Sequence, residues 1–245
     1  MHGRPPPPAD VASDLTFVGK TVNEALLLSL SNPKAGLDGD FESWLRGPHV
    51  EQLRASPGVA SARCFKLMPI PYPAPAPQLW KFVLVCSCST DSVRTIADIV
   101  EGNESKSKPP SGVVDADTHL LASAVPIGTG RVAPGAASTE RAELFLVMTN
   151  ALSGEDDAFN DWYDNRHLAD VMSAPGIVAA RRYRLARETA GHQSPWSYLA
   201  LYEIAPGAAE STLAALLKLR GTAAMPLSPS FRRDDFYAKA YTPIS

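Results

Sequence analysis

Three things are scarce in this sequence, and each scarcity excludes a class. No apolar run approaches the ~18 residues a membrane-spanning helix needs. Only three cysteines are present, and Cys86-Ser87-Cys88 falls in a stretch that reads as a strand, which argues against a disulfide framework. Charge of one sign is lacking too: 23 Lys and Arg against 26 Asp and Glu leave a net charge of −3, so no basic field awaits a nucleic-acid backbone. Several motifs are missing as well. Gly128-Thr129-Gly130 is not followed by a helix, so no dinucleotide or phosphate loop is formed, and there is no Gly-x-Ser-x-Gly elbow. His2, His119 and His192 have no ligand-spaced partners, so no metal site is expected.

What is present is an ordinary globular composition, 45% hydrophobic and 20% charged over 245 residues, ample for a sizeable core. Met1 to Arg4 leads into Pro5–Pro8 without an apolar segment, so residues 1–21 read as a flexible leader and the expected compartment is the cytoplasm.

The sequence also repeats itself. Shifted by 118 positions, residues 26–68 lie on 144–186 without a gap, and 13 of the 43 positions are identical, among them Asn32, Phe41, Trp44, His49, Pro57, Gly58 and Arg63. Trp80 matches Trp196 at a shift of 116, so all four tryptophans pair across the halves. In the second half, periodicity predicts a strand over 144–150, a helix from the acidic Glu155-Asp156-Asp157 to about Ser173, and strands over 177–185 and 196–204. A helix ending near Leu219 and a strand over 236–241 follow. The first half gives strands over 24–30, 59–67, 79–87 and 119–125, with helices over 40–55 and 90–100. It carries in addition a polar loop at 102–117.

Both halves thus show the order β-α-β-β-α-β, an α+β class of tandem ferredoxin-like repeats. The expected division is repeat 1 over 22–127, a linker over 128–139 and repeat 2 over 140–245. Each four-stranded sheet would leave one face bare, and packing the two bare faces together closes the core.

The stretch Phe159-Asn160-Asp161-Trp162-Tyr163-Asp164-Asn165-Arg166-His167-Leu168, followed by Pro175-Gly176-Ile177 and Arg181-Arg182-Tyr183, resembles the dimeric α+β barrel superfamily and is most similar to its EthD-like group. The resemblance implies an intrachain barrel, since relatives reach by dimerising what this chain carries in one piece. A homodimer is compatible with it but not required. It also implies a cleft for a small hydrophobic molecule, aromatic or polyketide-like. Among the superfamily's activities are isomerases, cyclases, cofactor-free monooxygenases and haem proteins. An enzyme of lyase or isomerase type without an organic cofactor is therefore expected. The alternatives are a cofactor-free monooxygenase, a non-catalytic binding protein, or a haem protein using a histidine as axial ligand.

Phe159, Tyr163, His167 and Val171 recur every four residues and share a helix stripe with apolar company, as do Phe41, Leu45, His49 and Leu53. Gly47-Pro48 interrupts the first helix, and Asp164-Asn165 offers a cap at the matching place in the second. An imidazole beside a helix start stays neutral and suits general-base work. The blander expectation is a core histidine tied to a loop carbonyl. The candidate catalytic set is His167, Tyr163 and Asp164, because the first half has Leu45 and Arg46 where the second has Tyr163 and Asp164. The candidate substrate-binding set is Trp162, Arg181, Asn150, Tyr183, His49 and Trp44. Arg181 is included as a cation within reach of an anionic group, and Asn150 stands at a strand end where turn capping is the plainer role.

Overall fold

The computed structural model describes residues 25–75, 78–89, 112–136, 140–186 and 194–244. The leader over 1–21, the expected helix over 90–100, most of the 102–117 loop, His2 and His192 lie outside the described residues.

In the first half, β1 (Ala25–Ser31) leads to a helix, β2 (Val59–Leu67), β3 (Phe82–Cys88) and β4 (Leu120–Val132). The helix comprises α1 (Asp38–Trp44), a wide π turn (Leu45–His49) and α2 (Val50–Arg54). In the second half, β5 (Glu143–Ala151) precedes α3 (Asp156–Trp162), a π turn (Tyr163–His167) and α4 (Leu168–Met172). Then come β6 (Ile177–Leu185), β7 (Tyr198–Ile204), α5 (Ala209–Leu219) and β8 (Phe231–Pro243). The strands close into one antiparallel barrel in the order β1-β3-β2-β8-β5-β7-β6-β4. Each half contributes the ferredoxin-like strand order 4-1-3-2, and the halves join at two seams, β2 with β8 and β4 with β6. All eight strands come from one chain, as the tandem repeat predicts.

The barrel has no lumen. Alternate residues of both halves point inward, and Leu26, Leu28, Phe65, Val85, Leu146, Leu201 and Tyr241 fill it, an arrangement set by the two-residue period of the strands. The tryptophans Trp80 and Trp196 meet there, their ring centroids 6.2 Å apart and each close to Tyr237. The outer faces pack on the helices. Leu27, Cys64, Phe82 and Cys86 meet α1 and α2 residues such as Phe41 and Leu53, while Phe145, Ala180, Tyr202 and Ala238 meet Phe159, Val171 and Leu213. All three cysteines are free and buried on the first-half outer face, and burial pushes the Cys64 thiol up to about 12.

Three expectations need correction. β4 runs on to Val132 and pairs with β6, so residues 128–132 are strand and not linker. The second-half helix has no cap at Asp164-Asn165. Its backbone stays helical through the π turn, and no side chain caps α4, whereas in the first half Gly47 leaves helical geometry at φ −101° and ψ −108°. The third concerns β6, which bulges between Ile177 and Ala179. One extra residue exchanges the faces of everything beyond it, so Arg181 and Tyr183 turn into the barrel while Arg182 faces the helices. β2 carries the same bulge between Val59 and Ser61, and Arg63 points inward to an ion pair with Glu203 and a hydrogen bond to the Ala142 carbonyl.

Candidate active site

The π turn brings residues five apart onto one line, because its hydrogen bonds run from i to i+5. Trp162 accordingly stacks on His167, with centroids 4.4 Å apart and planes 23° from parallel. The first half reproduces this closely, Trp44 on His49 at 4.3 Å and 24°. The stack is therefore part of the repeated scaffold. What differs is the company it keeps.

In the second half, Tyr163 meets His167 edge-on at 4.9 Å, and its hydroxyl lies 2.8 Å from that of Tyr202 on β7. The first half has Leu45 in place of Tyr163. At the site matching Tyr202, given by the parallel registers Phe145 with Tyr202 and Leu27 with Cys86, it has Cys86. Only the second copy of this site thus combines an imidazole with a hydroxyl pair.

These groups line a partly open cavity of about 60 Å³ between the helices and the outer face of the sheet. Trp162, Tyr163, His167, Tyr202, Phe231 and Phe236 form much of its wall. A segment of the first half completes it. After β2 the chain crosses to the other half, the Met68 amide bonding to the Ala240 carbonyl at 2.9 Å, and Tyr72 reaches the cavity edge-on against Phe145 at 5.0 Å.

Burial holds His167 down to about 4, with the charges of Arg182 and Arg220 acting in the same direction and Asp170 against them. The imidazole is thus neutral at pH 7 through desolvation, not through a helix terminus. Among the described residues its buried Nδ1 has no hydrogen-bond partner, and no loop carbonyl holds it. Burial also raises Tyr163 and, further, Tyr202, so both phenols remain protonated donors. Within the pair one O–H is consumed and the other is left to serve a ligand. Beneath them Arg182 lies with its guanidinium 4.0 Å from the Tyr163 ring centroid, held by Asp164 at 2.6 Å and Asn160 at 2.7 Å.

Of the nine candidates from sequence, His167, Tyr163 and Trp162 converge on the cavity. Asp164 does not line it and serves as the ion-pair partner of Arg182. Arg181 and Tyr183 are inside the barrel, for the bulge reason given above. Asn150 clips strands together: its amide donates to the Pro195 carbonyl at 2.9 Å and accepts from the Ser197 amide at 2.9 Å. Asn32 does the same with Leu79 and Lys81, so this pair pins loops before β3 and β7 instead of capping turns. Trp44 and His49 stack in the first half, away from this cavity, and burial lowers His49 to about 4 as well.

Sequence reasoning missed Tyr202, Tyr72 and Arg220. Leu216 and Arg220, four apart, line the same wall from α5, a signal that helical spacing carries. Tyr72 arrives by a crossing that no local pattern encodes.

Among the described residues, no group of three or more metal-ligating side chains converges, and no helix is long and apolar enough to cross a membrane.

The barrel and its outer clefts are the fold of the dimeric α+β barrel proteins. A candidate monooxygenase from Fusobacterium nucleatum superposes with a TM-score of 0.56 at 9% identity, covering 91% of this chain and 93% of that one. An anthrone oxidase-like protein gives 0.53 at 10% identity, with 92% and 93% covered. A variant of the chlorite dismutase from Candidatus Nitrospira defluvii, in complex with cyanide, gives 0.52 at 8%, also with 92% and 93% covered. No family model matches the chain, and no curated protein matches its sequence. At such identities the likeness concerns the fold.

Proposed function

We propose that the protein is an enzyme without an organic cofactor that removes a proton from a small aromatic molecule bound in the second-half cavity. The observation that carries this reading is the buried, unpartnered Nδ1 of a neutral His167 beside the Tyr163–Tyr202 hydroxyl pair. In the proposed step the imidazole lone pair takes a proton from an activated C–H of the bound ring system. The electron pair stays on the substrate, and the free O–H of the tyrosine pair donates to the oxygen on which charge develops. Trp162 fixes the imidazole plane, and the walls around it are largely apolar. Asp164 acts one layer out as a positioning residue through Arg182 and the Tyr163 ring.

Return of the proton elsewhere gives an isomerisation, cyclisation or lyase reaction. The oxidase- and monooxygenase-like fold neighbours favour a second reading, in which the same deprotonated ring meets dioxygen. Both readings share proton abstraction, so that step is the one to test. Hydroxyaromatic compounds are incubated with the protein in D₂O and followed by mass spectrometry. Deuterium uptake that falls by ~10²–10⁴ in His167→Ala but not in His49→Ala is expected. Uptake that persists in His167→Ala removes the histidine from this role. Binding without uptake or turnover of any compound makes the protein a carrier.

A further inference from the structure

Among the described residues the cavity wall contains one cation and no carboxylate. Arg220 ends α5 with its guanidinium over the Phe236 ring, 4.9 Å from the centroid. Its only hydrogen bond among the described residues is a long one, 3.5 Å to the Pro73 carbonyl of the crossing segment. Arg46, Arg63, Arg166, Arg182 and Arg232 have carboxylate partners, whereas Arg220, like Arg54, Arg131 and Arg233, bonds only to backbone carbonyls among the described residues. A guanidinium presents five donors in a planar fork that matches two carboxylate oxygens. Here that fork borders an apolar space walled by aromatic rings, so the cavity presents one charge and one flat hydrophobic slot.

We infer that the cavity takes an aromatic carboxylate, its ring against Trp162 and Phe231 and its carboxylate received by Arg220. The inference rests on reading the cavity as a ligand site, but it requires no reaction there. A phosphate ester fits less well, because a dianion wants more than one cation and the wall offers one. The placement also accounts for the residues around Arg220. Leu216 and Met225 hold the end of α5 against the wall, and Arg220 and Met225 are bridged through their backbones. The guanidinium exchanges a weak contact with Pro73 for a charged one when the ligand enters.

The test uses the full chain and two probes of the same shape, benzoate and the neutral benzamide, with isothermal titration calorimetry at pH 7.5. Benzoate is expected to bind about tenfold more tightly, as charge-assisted hydrogen bonds to a guanidinium at the edge of an apolar wall imply. Arg220→Gln should weaken benzoate by about 10–100-fold and leave benzamide nearly unchanged, which also controls for folding. Arg220→Lys should restore part of the loss, since a point charge replaces the fork. Equal affinity for the two probes, no binding of either, or parallel loss of both in Arg220→Gln overturns the inference. Arg220-dependent benzoate binding in a protein that never exchanges deuterium keeps the inference and removes the proton-transfer reading instead.

Discussion

Acidification should weaken this fold in a window set by two histidines, and the size of the loss follows from their burial. His49 and His167 are both held at about 4, against 6.5 for an ordinary imidazole. In the unfolded chain they take up protons as the pH falls through 6.5; in the folded chain they stay neutral until about 4. Between those values the unfolded state binds more protons, so stability declines as pH drops and the decline ends below 4. The separation is worth up to about 3 kcal/mol per histidine. Partial opening of each site admits water before that full amount is reached, so a measured loss of about 1–2 kcal/mol each is expected, against a total of roughly 5–15 for a domain. Urea unfolding at pH 7.5, 6.5, 5.5 and 4.5, followed by circular dichroism, measures it. The double variant His49→Gln/His167→Gln should flatten the profile above pH 5, below which carboxylates of the unfolded chain begin to contribute. A profile equally steep in the double variant refutes the assignment.

Three other outcomes follow from named contacts. Gly176→Ala drives a Cβ into the Thr212 hydroxyl at φ +90°, and should cost about 2–4 kcal/mol, seen as a Tm lower by about 5–10 °C. Arg182→Met leaves Asp164 and Asn160 without their shared donor and should destabilise by about 3 kcal/mol in urea melts; a loss under 1 kcal/mol would mean the buried guanidinium contributes little net. The β2–β8 seam has three paired positions and the β4–β6 seam six, so the amides of Met68 and Ile244, which bond across the first, should exchange hydrogen before those of Arg182 and Arg184 at the second.

The fold was legible because the sequence repeats it. Paired tryptophans and matching Pro-Gly turns are local signals, and two matching sets of them specify two halves of one fold. Of the site, His167, Tyr163 and Trp162 were legible for the same reason: a helix writes its stripe in spacings of four and five. Arg181 and Tyr183 were misassigned because a single bulged residue after Ile177 inverts the strand, and nothing in the local composition marks it. Asp164 lies on the right helix but on the side facing Arg182, which that same bulge turned outward. Tyr72 was out of reach of local reading, since it belongs to one repeat and lines the cavity of the other.

That crossing has an evolutionary consequence. When two identical subunits make such a barrel, each must lend the other whatever wall its cavity lacks, and any change appears twice. Joining the subunits in one chain lifts that restriction. One copy can keep the segment that roofs its sister's cavity while its own site exchanges a tyrosine pair for Leu45 and Cys86. The symmetry remains in the backbone and the tryptophans, while side chains differ at most of the aligned positions, Leu45 against Tyr163 among them. A fused chain of this kind can assign support to one half and chemistry to the other.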